Sequence, residues 1–315
     1  MGDERRLRQA DPRPRFTLVV PTHNRRDLLR ICLGAATAQD YPDYEVIVVD
    51  DGSTDGTGET VWREFPQVRY LRQERCRGPA AARNRGIEAA TGEIVAFTDD
   101  DCLLPGDFLR QLAQGYGRHQ VVGVGGYLEA PPELVRRNLL ARYEALVTHR
   151  VYGAGREPYE GGFECPAGGT NSMSYRWEVL QAVGGFDETF PVPGGEDADL
   201  KQRVVAAGGR LLYLPVRVTH LQPYDLPGFW RQYRNHGRGA VHFERKHRGR
   251  PPGRGRVFVR AAGRLARWPA DAVRLGPPLA TVRLLAGLAD VAGQWQEVGR
   301  LQGGGPAGTG GPCAS

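Results

Sequence analysis

A chain of 315 residues with 40% apolar and 25% charged side chains has the composition of a soluble globular protein, able to bury a core as one α/β domain or two lobes. Its net charge of +6 admits an anionic partner, but the arginine excess falls mostly beyond residue 230 and so characterises the C-terminal part. The charged opening "MGDERRLRQADPRPR" lacks the apolar stretch of a secretory signal, no window approaches the roughly 18 uninterrupted apolar residues of a spanning helix, and Cys32, Cys76, Cys102, Cys165 and Cys313 lack metal-like spacing, so a cytoplasmic protein with reduced thiols is expected.

In chain order, residues 1–14 read as a disordered lead. "FTLVVP" (16–21) is a short buried strand, and "RRDLLRICLGAATAQ" (25–39) has helical spacing through Leu28, Ile31, Cys32 and Ala35. "YEVIVVD" (44–50) is a second β-branched strand, followed by helical "GTGETVWREF" (56–65) and the strand "VRYL" (68–71). "GPAAARNRGIEAA" (78–90) predicts a helix with Pro79 in its first turn, and "EIVAFT" (93–98) the next strand. This alternation predicts a mostly parallel, doubly wound α/β sheet. "GVGG" at 123–126 reads as a turn.

The polar residues gather where these strands end: Thr22, His23 and Asn24 after the first, Asp50, Asp51 and Ser53 after the second, Asp99, Asp100 and Asp101 after the fourth. Taken alone, "DDGSTDGT" reads as an ordinary turn. Together the clusters share one sheet edge, and open α/β sheets bind ligands outside the carboxyl ends of their strands. The first strand is followed by neither a G-x-G-x-x-G loop nor a Walker lysine, which argues against a dinucleotide-binding dehydrogenase and a P-loop NTPase. A diphosphate then needs another positive partner. Carboxylates holding Mg²⁺ or Mn²⁺ supply it, the ligand phosphates completing the metal's oxygen shell.

"VVPTHNR", "VIVVDDGSTDGT", "GPAAARNRGI", "FTDDDCLLP" and "GGEDADLKQR", in this order over residues 16–235, resemble the motifs of the family 2 glycosyltransferases, inverting enzymes of the GT-A fold. The resemblance implies a nucleotide-binding half over 15–125 and an acceptor half over 126–240. It implies a nucleotide-sugar site formed by Pro21, Thr22, Asn24, Asp50, Asp51, Ser53, Arg83, Asp99 and Asp100. Within it Thr22 and Asp51 meet the base, with uracil preferred, Asp50 supports the turn or the ribose, and Arg83 approaches base or diphosphate. Asp99 and Asp101 are the acids of the D-x-D motif and, with His220, the implied metal ligands. Gly168, Gly169, Thr170 and Asn171 flank acceptor and sugar.

"GGEDADLKQRVVAAGG" (194–209) places Glu196 and Asp197 in the first turn of a helix, where acids ordinarily complement the dipole. The resemblance makes the second acid, Asp197, the general base, with Glu196 beside the acceptor and Asp199 a cap or salt-bridge partner. One positioned base suffices for a single displacement; the double displacement known from retaining glycosidases needs a second carboxylate, so inversion is expected. "FWRQYRNHGRG" (229–239) departs from the family's Q-x-x-R-W element, and Gln232, Arg234 and Arg238 are its candidates for phosphate contact.

Residues 241–300 read as a basic Pro/Gly linker and amphipathic helices, and 301–315 as a disordered end. "RVFVRAAGRLARW" (256–268) sets Phe258, Ala261, Ala262, Leu265 and Trp268 on one face and Arg256, Arg260, Arg264 and Arg267 on the other. Two readings stay open: a peripheral helix on an anionic membrane, placing the protein at the inner face of the cell membrane, or a helix packed on its own catalytic domain. The implied partners are a nucleotide-diphosphate sugar and a glycan, lipid-linked or small-molecule acceptor. A sugar-1-phosphate nucleotidyltransferase lacks support, because no glycine-rich basic loop follows the first strand. A nucleic-acid-binding protein is disfavoured because its cleft would be acidic.

Overall fold

The computed structural model describes residues 13–151 and 157–303, so the expected disordered ends lie outside the described residues except at 13–14 and 301–303. The first half alternates as predicted: β1 (Phe16–Thr22), α1 (Arg26–Ala36), β2 (Tyr44–Asp50), α2 (Thr57–Glu64), β3 (Arg69–Arg72), α3 (Pro79–Ala89) and β4 (Ile94–Phe97). Then come β5 (Cys102–Leu103), α4 (Phe108–Arg118), β6 (Gly123–Glu129), α5 (Pro132–Arg137), α6 (Leu139–Val151) and β7 (Tyr159–Gly161). The rest is β8 (Met173–Arg176), α7 (Trp177–Val183), α8 (Glu196–Ala206), β9 (Leu211–His220), α9 (Leu226–Arg248), α10 (Arg254–Leu275) and α11 (Pro277–Gln302).

One sheet runs β3-β2-β1-β4-β8-β6-β9-β5, with β7 also paired to β9. The neighbours β3, β2, β1 and β4 are parallel, whereas β8 runs antiparallel to both β4 and β6. The sheet is therefore parallel in the first half and mixed in the second. Its central strands are largely apolar because helices cover both faces. Leu18, Val20, Val46, Val48, Ile94 and Ala96 pack with α1 and α4, while Val19, Ile47, Val49, Val95 and Phe97 pack with α3, α7 and α8.

Two readings of local sequence are corrected. "GVGG" is part of a strand, β6, and not a turn. Its glycines admit a close approach: a Cβ on Gly126 would stand 2.2 Å from the carbonyl oxygen of Val216, where the β6–β9 register slips between Gly125 and Tyr127. Among the cysteines, Cys32, Cys102 and Cys165 are buried and free, but Cys76 is disulfide-bonded, so the expectation of reduced thiols throughout fails.

The basic segment from 241, expected as a linker, is helical through Arg248, because α9 continues across that boundary; only 249–253 separate it from α10. No described helix is long and apolar enough to cross a membrane. α11 packs along α9 through glycines: a Cβ on Gly237 would lie 1.9 Å from the Asp290 carbonyl oxygen, and one on Gly293 2.0 Å from that of Arg234. The seam is locked by Glu297 of α11, wholly buried, which accepts from Arg238 Nε at 3.0 Å and lies 2.8 Å from His242 Nε2 and 2.6 Å from Arg300 Nε. Arg238 is thereby engaged between helices through its Nε.

Burial alone would push the Glu297 carboxyl up, but the hydrogen bonds from His242, Arg300 and Arg238 prevail and hold it at about 2. A folded-state value below the unfolded one gives stability that is complete above about pH 4.5 and disappears as pH falls through about 2. Glu297→Gln is expected to cost about 2–3 kcal/mol near neutrality. Urea midpoints of the two proteins should converge as the pH approaches 2, and a constant gap across that window would refute the linkage.

Candidate active site

The polar clusters do meet at one sheet edge, since β1 pairs β2 with Thr22 opposite Asp50 and pairs β4 with Val19 opposite Phe97. Asp50 is fully buried and supports the turn: its Oδ1 accepts from Ser53 N at 2.7 Å, and its Oδ2 accepts from the Tyr70 hydroxyl. Asp51 organises the 73–78 loop, accepting from Gln73 Nε2 at 2.9 Å, Arg77 N at 2.8 Å and Gly78 N at 2.7 Å. Burial still leaves its carboxyl raised, against those two backbone N–H groups. Asn24, at a positive φ of 52°, donates its N–H to Ser53 Oγ and accepts from Thr54 N, tying the ends of β1 and β2 together. Pro21 and Thr22 end β1, and Thr22 Oγ1 donates to Asp100 Oδ2 at 2.8 Å.

The three aspartates have distinct environments. Asp99 accepts from Arg83 Nη2 at 2.8 Å, and the other terminal nitrogen of Arg83 reaches Glu196 Oε1 at 3.1 Å, so one buried guanidinium joins the two halves of the site. Arg25 Nη1 bridges Asp100 Oδ1 at 3.0 Å and Asp101 Oδ2 at 2.8 Å. Burial dominates at Asp100 and, with the charge of Asp101, pushes it up to about 7 against the pull of Arg25. At Asp101 burial acts in the same sense, but His220 and then Arg25 hold the carboxyl well below the usual range. His220 arrives by strand pairing: Cys102 of β5 lies opposite it on β9, which leaves His220 Nε2 3.4 Å from Asp101 Oδ2.

These residues suit a divalent cation. Oxygens of Asp99 and Asp101 lie within 4.8 Å of each other and of Cys102 Sγ. A thiol is a soft ligand, so the imidazole of His220 is the better third ligand for a hard ion. Among the described residues, Arg83 Nε, which belongs to the guanidinium that pairs with Asp99, Thr98 Oγ1, next in sequence to Asp99, and the Tyr175 hydroxyl, which feels the charge of Asp197, are buried without hydrogen-bond partners. Ligand-binding sites leave such atoms unsatisfied until occupied.

In the second half, β8 runs antiparallel to β4 with Met173 opposite Phe97, so Gly169, Thr170 and Asn171, preceding β8, lie at the same sheet end as Asp99. α8 starts at Glu196 after Gly195, whose φ of +94° no L side chain adopts easily. Glu196 is engaged, with Oε1 on Arg83 and Oε2 accepting from Gly194 N at 2.7 Å. Asp197 is half-buried, and only its Oδ1 has a described partner, the Ala198 N–H at 2.7 Å. Burial first, then the charge of Asp99, raises its carboxyl despite Ala198 and Arg83. Asp199 is fully buried among Arg203, Lys246 and His247 at 2.9, 2.9 and 2.8 Å, a structural ion cluster joining α8 to α9.

α9 backs this turn. A Cβ on Gly239 would meet the Gly194 carbonyl oxygen at 1.8 Å, and one on Gly194 would lie 3.5 Å from His236 Cδ2. Arg234 sits on the neighbouring turn, its carbonyl against Gly293 and its Nε enclosed without a hydrogen-bond partner. The sequence reading missed Arg25, whose place in "HNRRD" looks like the exposed start of a helix, and it missed Gln73 and Tyr70 under the second-strand acids. It singled out Arg83 but not its bridge to Glu196.

The family model described as glycosyl transferase family 2 matches residues 17–178, more than half of the chain, and that described as the N-terminal domain of galactosyltransferase matches 159–224. A pre-mycofactocin glycosyltransferase of Mycobacterium tuberculosis is 32% identical over 226 residues, 67% of this chain and 44% of that protein. A GalNAc(5)-diNAcBac-PP-undecaprenol beta-1,3-glucosyltransferase of Campylobacter jejuni is 37% identical over 105 residues, 32% of this chain and 34% of that one. The chain thus spans less than half the length of these curated relatives. Among solved structures, a mannosyltransferase from Pyrobaculum calidifontis in complex with GDP-Man and Mn2+ superposes with a TM-score of 0.62 at 23% identity, covering 90% of this chain and 89% of that one. GalNAc-T7 with UDP, GalNAc and Mn2+ gives 0.51 at 16% identity, covering 73% and 50%.

Proposed function

The chain belongs to glycosyl transferase family 2 and has the GT-A fold, and on that premise we propose that it moves a sugar from a nucleotide-diphosphate sugar, a UDP-sugar foremost, to an acceptor hydroxyl with inversion at the anomeric carbon. The observation that carries this reading is the division of labour at the start of α8. Arg83 and Gly194 engage both oxygens of Glu196, and Asp197 keeps one oxygen free beside Asp99. That oxygen is placed to take the acceptor proton as the new bond forms. Among the described residues, no second independent carboxylate is placed there for a covalent intermediate, which favours single displacement.

Asp99, Asp101 and His220 are the residues that would hold Mg²⁺ or Mn²⁺, and two structurally similar proteins carry Mn2+. A cation there supplies Lewis-acid neutralisation of the leaving diphosphate. The chain's own part is to position it: Arg25 and Arg83 fix the acids, and Asp51 holds the loop that closes the nucleotide side. Acceptors of cell-surface polysaccharide, glycolipid or other glycoconjugate synthesis fit this reading; one relative is named for a polyprenol-diphosphate-linked glycan. We place the enzyme on the cytoplasmic side, peripheral to the membrane.

The test is thermal stabilisation by UDP with and without Mn²⁺. The wild type is expected to be stabilised by the pair more than by either alone. Asp101→Ala should weaken the metal-dependent binding by at least about tenfold, the cost of losing even an outer partner of a metal ligand. Undiminished metal dependence in that variant would place the cation elsewhere. A panel of UDP-, GDP- and dTDP-sugars in the same assay identifies the base.

A further inference from the structure

α10 packs Val257 and Ala261 against valines of α9 and α11, and it turns arginines to the same side. Arg260 turns inward, donating to Glu244 Oε1 of α9 at 2.8 Å and Gln294 Oε1 of α11 at 2.5 Å. Arg264 lies against Gly287 and 3.9 Å from Asp290, and Trp268 Nε1 donates to Thr281 Oγ1 at 3.4 Å. Asp271, the helix's single acid, is paired with Arg283 at 2.8 Å. The outward side is apolar instead: Phe258, Val259, Leu265 and Val273 are 68%, 68%, 55% and 91% exposed. Ala261 and Trp268, which helical spacing grouped with that side, are tucked toward α11, and Arg260 and Arg264 of the other face turn toward α9 and α11, half-buried. The neighbouring helices decide this, because Glu244, Gln294 and Asp290 satisfy guanidinium groups that water would otherwise solvate.

At about 100° per residue, Arg256, Arg267 and Arg274 fall in one row along the edge of the apolar side. Among the described residues, neither Arg267 nor Arg274 has an ion-pair partner, and no acid faces outward on α10. A second copy docked on this face would bring arginines without countercharges. A lipid surface bearing anionic headgroups matches both halves of the pattern, taking the apolar residues beneath the headgroups and the arginine row against their phosphates. We propose that α10 lies flat on an anionic phospholipid surface by its Phe258, Val259, Leu265 and Val273 side. The proposal stands on α10 and is independent of the sugar-transfer reading.

The test uses the full chain and sedimentation with vesicles of phosphatidylglycerol and phosphatidylcholine against phosphatidylcholine alone. Binding is expected to the anionic vesicles and to be lost at high salt, where headgroup attraction is screened. The combined variant Phe258→Ser, Val259→Ser, Leu265→Ser, Val273→Ser should bind on the order of tenfold or more weakly, and Arg267→Gln with Arg274→Gln should reduce binding to anionic vesicles selectively. In parallel, Val273→Cys carrying an environment-sensitive fluorophore should shift to the blue on adding anionic vesicles. Equal binding to both vesicle types, full binding by the serine variant, or an unmoved fluorophore would overturn the proposal. So would a dimer that sedimentation equilibrium finds in the wild type and not in the serine variant. Stabilisation by UDP and Mn²⁺ should be the same in every variant, which separates failure here from failure of the active-site reading.

Discussion

Asp197→Asn is expected to bind donor normally and to lower kcat by roughly 10²-fold or more, because it keeps the shape of the side chain and removes its proton acceptor. Glu196→Gln should behave differently. Glu196 is hydrogen-bonded to Arg83 and the Gly194 N–H, so its loss loosens the bridge to Asp99 and should weaken metal-dependent donor binding too. The pH profile gives a second check. Burial and Asp99 raise the Asp197 carboxyl, so its basic form, and with it kcat/KM, should be lost on acidification at a pH above the ordinary carboxylate range. Nucleoside diphosphate release measures the rate, and NMR of the first-formed product gives the anomeric configuration. Near-normal turnover of Asp197→Asn excludes it as the base, and a retained configuration excludes single displacement.

Gly239→Ala is expected to be nearly as damaging without touching a reacting group. Its Cβ would stand 1.8 Å from the Gly194 carbonyl oxygen, so either α9 or the turn that carries Asp197 must move. Overpacking of this kind costs about 1–3 kcal/mol, and a displacement of about 1 Å at a positioned base costs on the order of 10²-fold in rate. Gly237→Ala meets the Asp290 carbonyl oxygen on the opposite side of α9 at 1.9 Å. It should lower the melting temperature comparably and kcat much less. Gly255→Ala, with nothing within 4 Å, is the control. Equal kcat for the alanines at 237 and 239 would show that the turn that carries Asp197 tolerates the shift.

What the sequence made legible is the part dictated by local chemistry. β-branched runs between helical spacings gave β1, β2 and β4 and their parallel order, and acids at three strand ends gave the sheet edge of the site. What it concealed depends on partners distant in the chain. Arg25 belongs with Asp100 and Asp101 because β1 and β4 are neighbours, about which "HNRRD" is silent. Arg238 reads as a candidate for phosphate contact, and only α11 brings Glu297 against it; "GVGG" looked like a turn because glycine required by a neighbouring backbone is indistinguishable in sequence from glycine required by a bend. The orientation of α10 stayed open in the sequence, since periodicity defines two faces of a helix and only the neighbours decide which one turns inward.

The glycines of α9 have a mechanical consequence. Side chains between two packed helices act as a compliant layer that repacks when one helix tilts. Here Gly237 and Gly239 remove that layer on opposite sides of one helix, so the Asp290 carbonyl, the α9 backbone and the Gly194 carbonyl are stacked main chain on main chain. Such a column has low compressibility and passes strain on with little loss. A force applied to α11 would therefore arrive at the turn carrying Glu196 and Asp197 as a displacement of backbone, and the C-terminal helices brace the turn on which the Asp197 carboxylate stands.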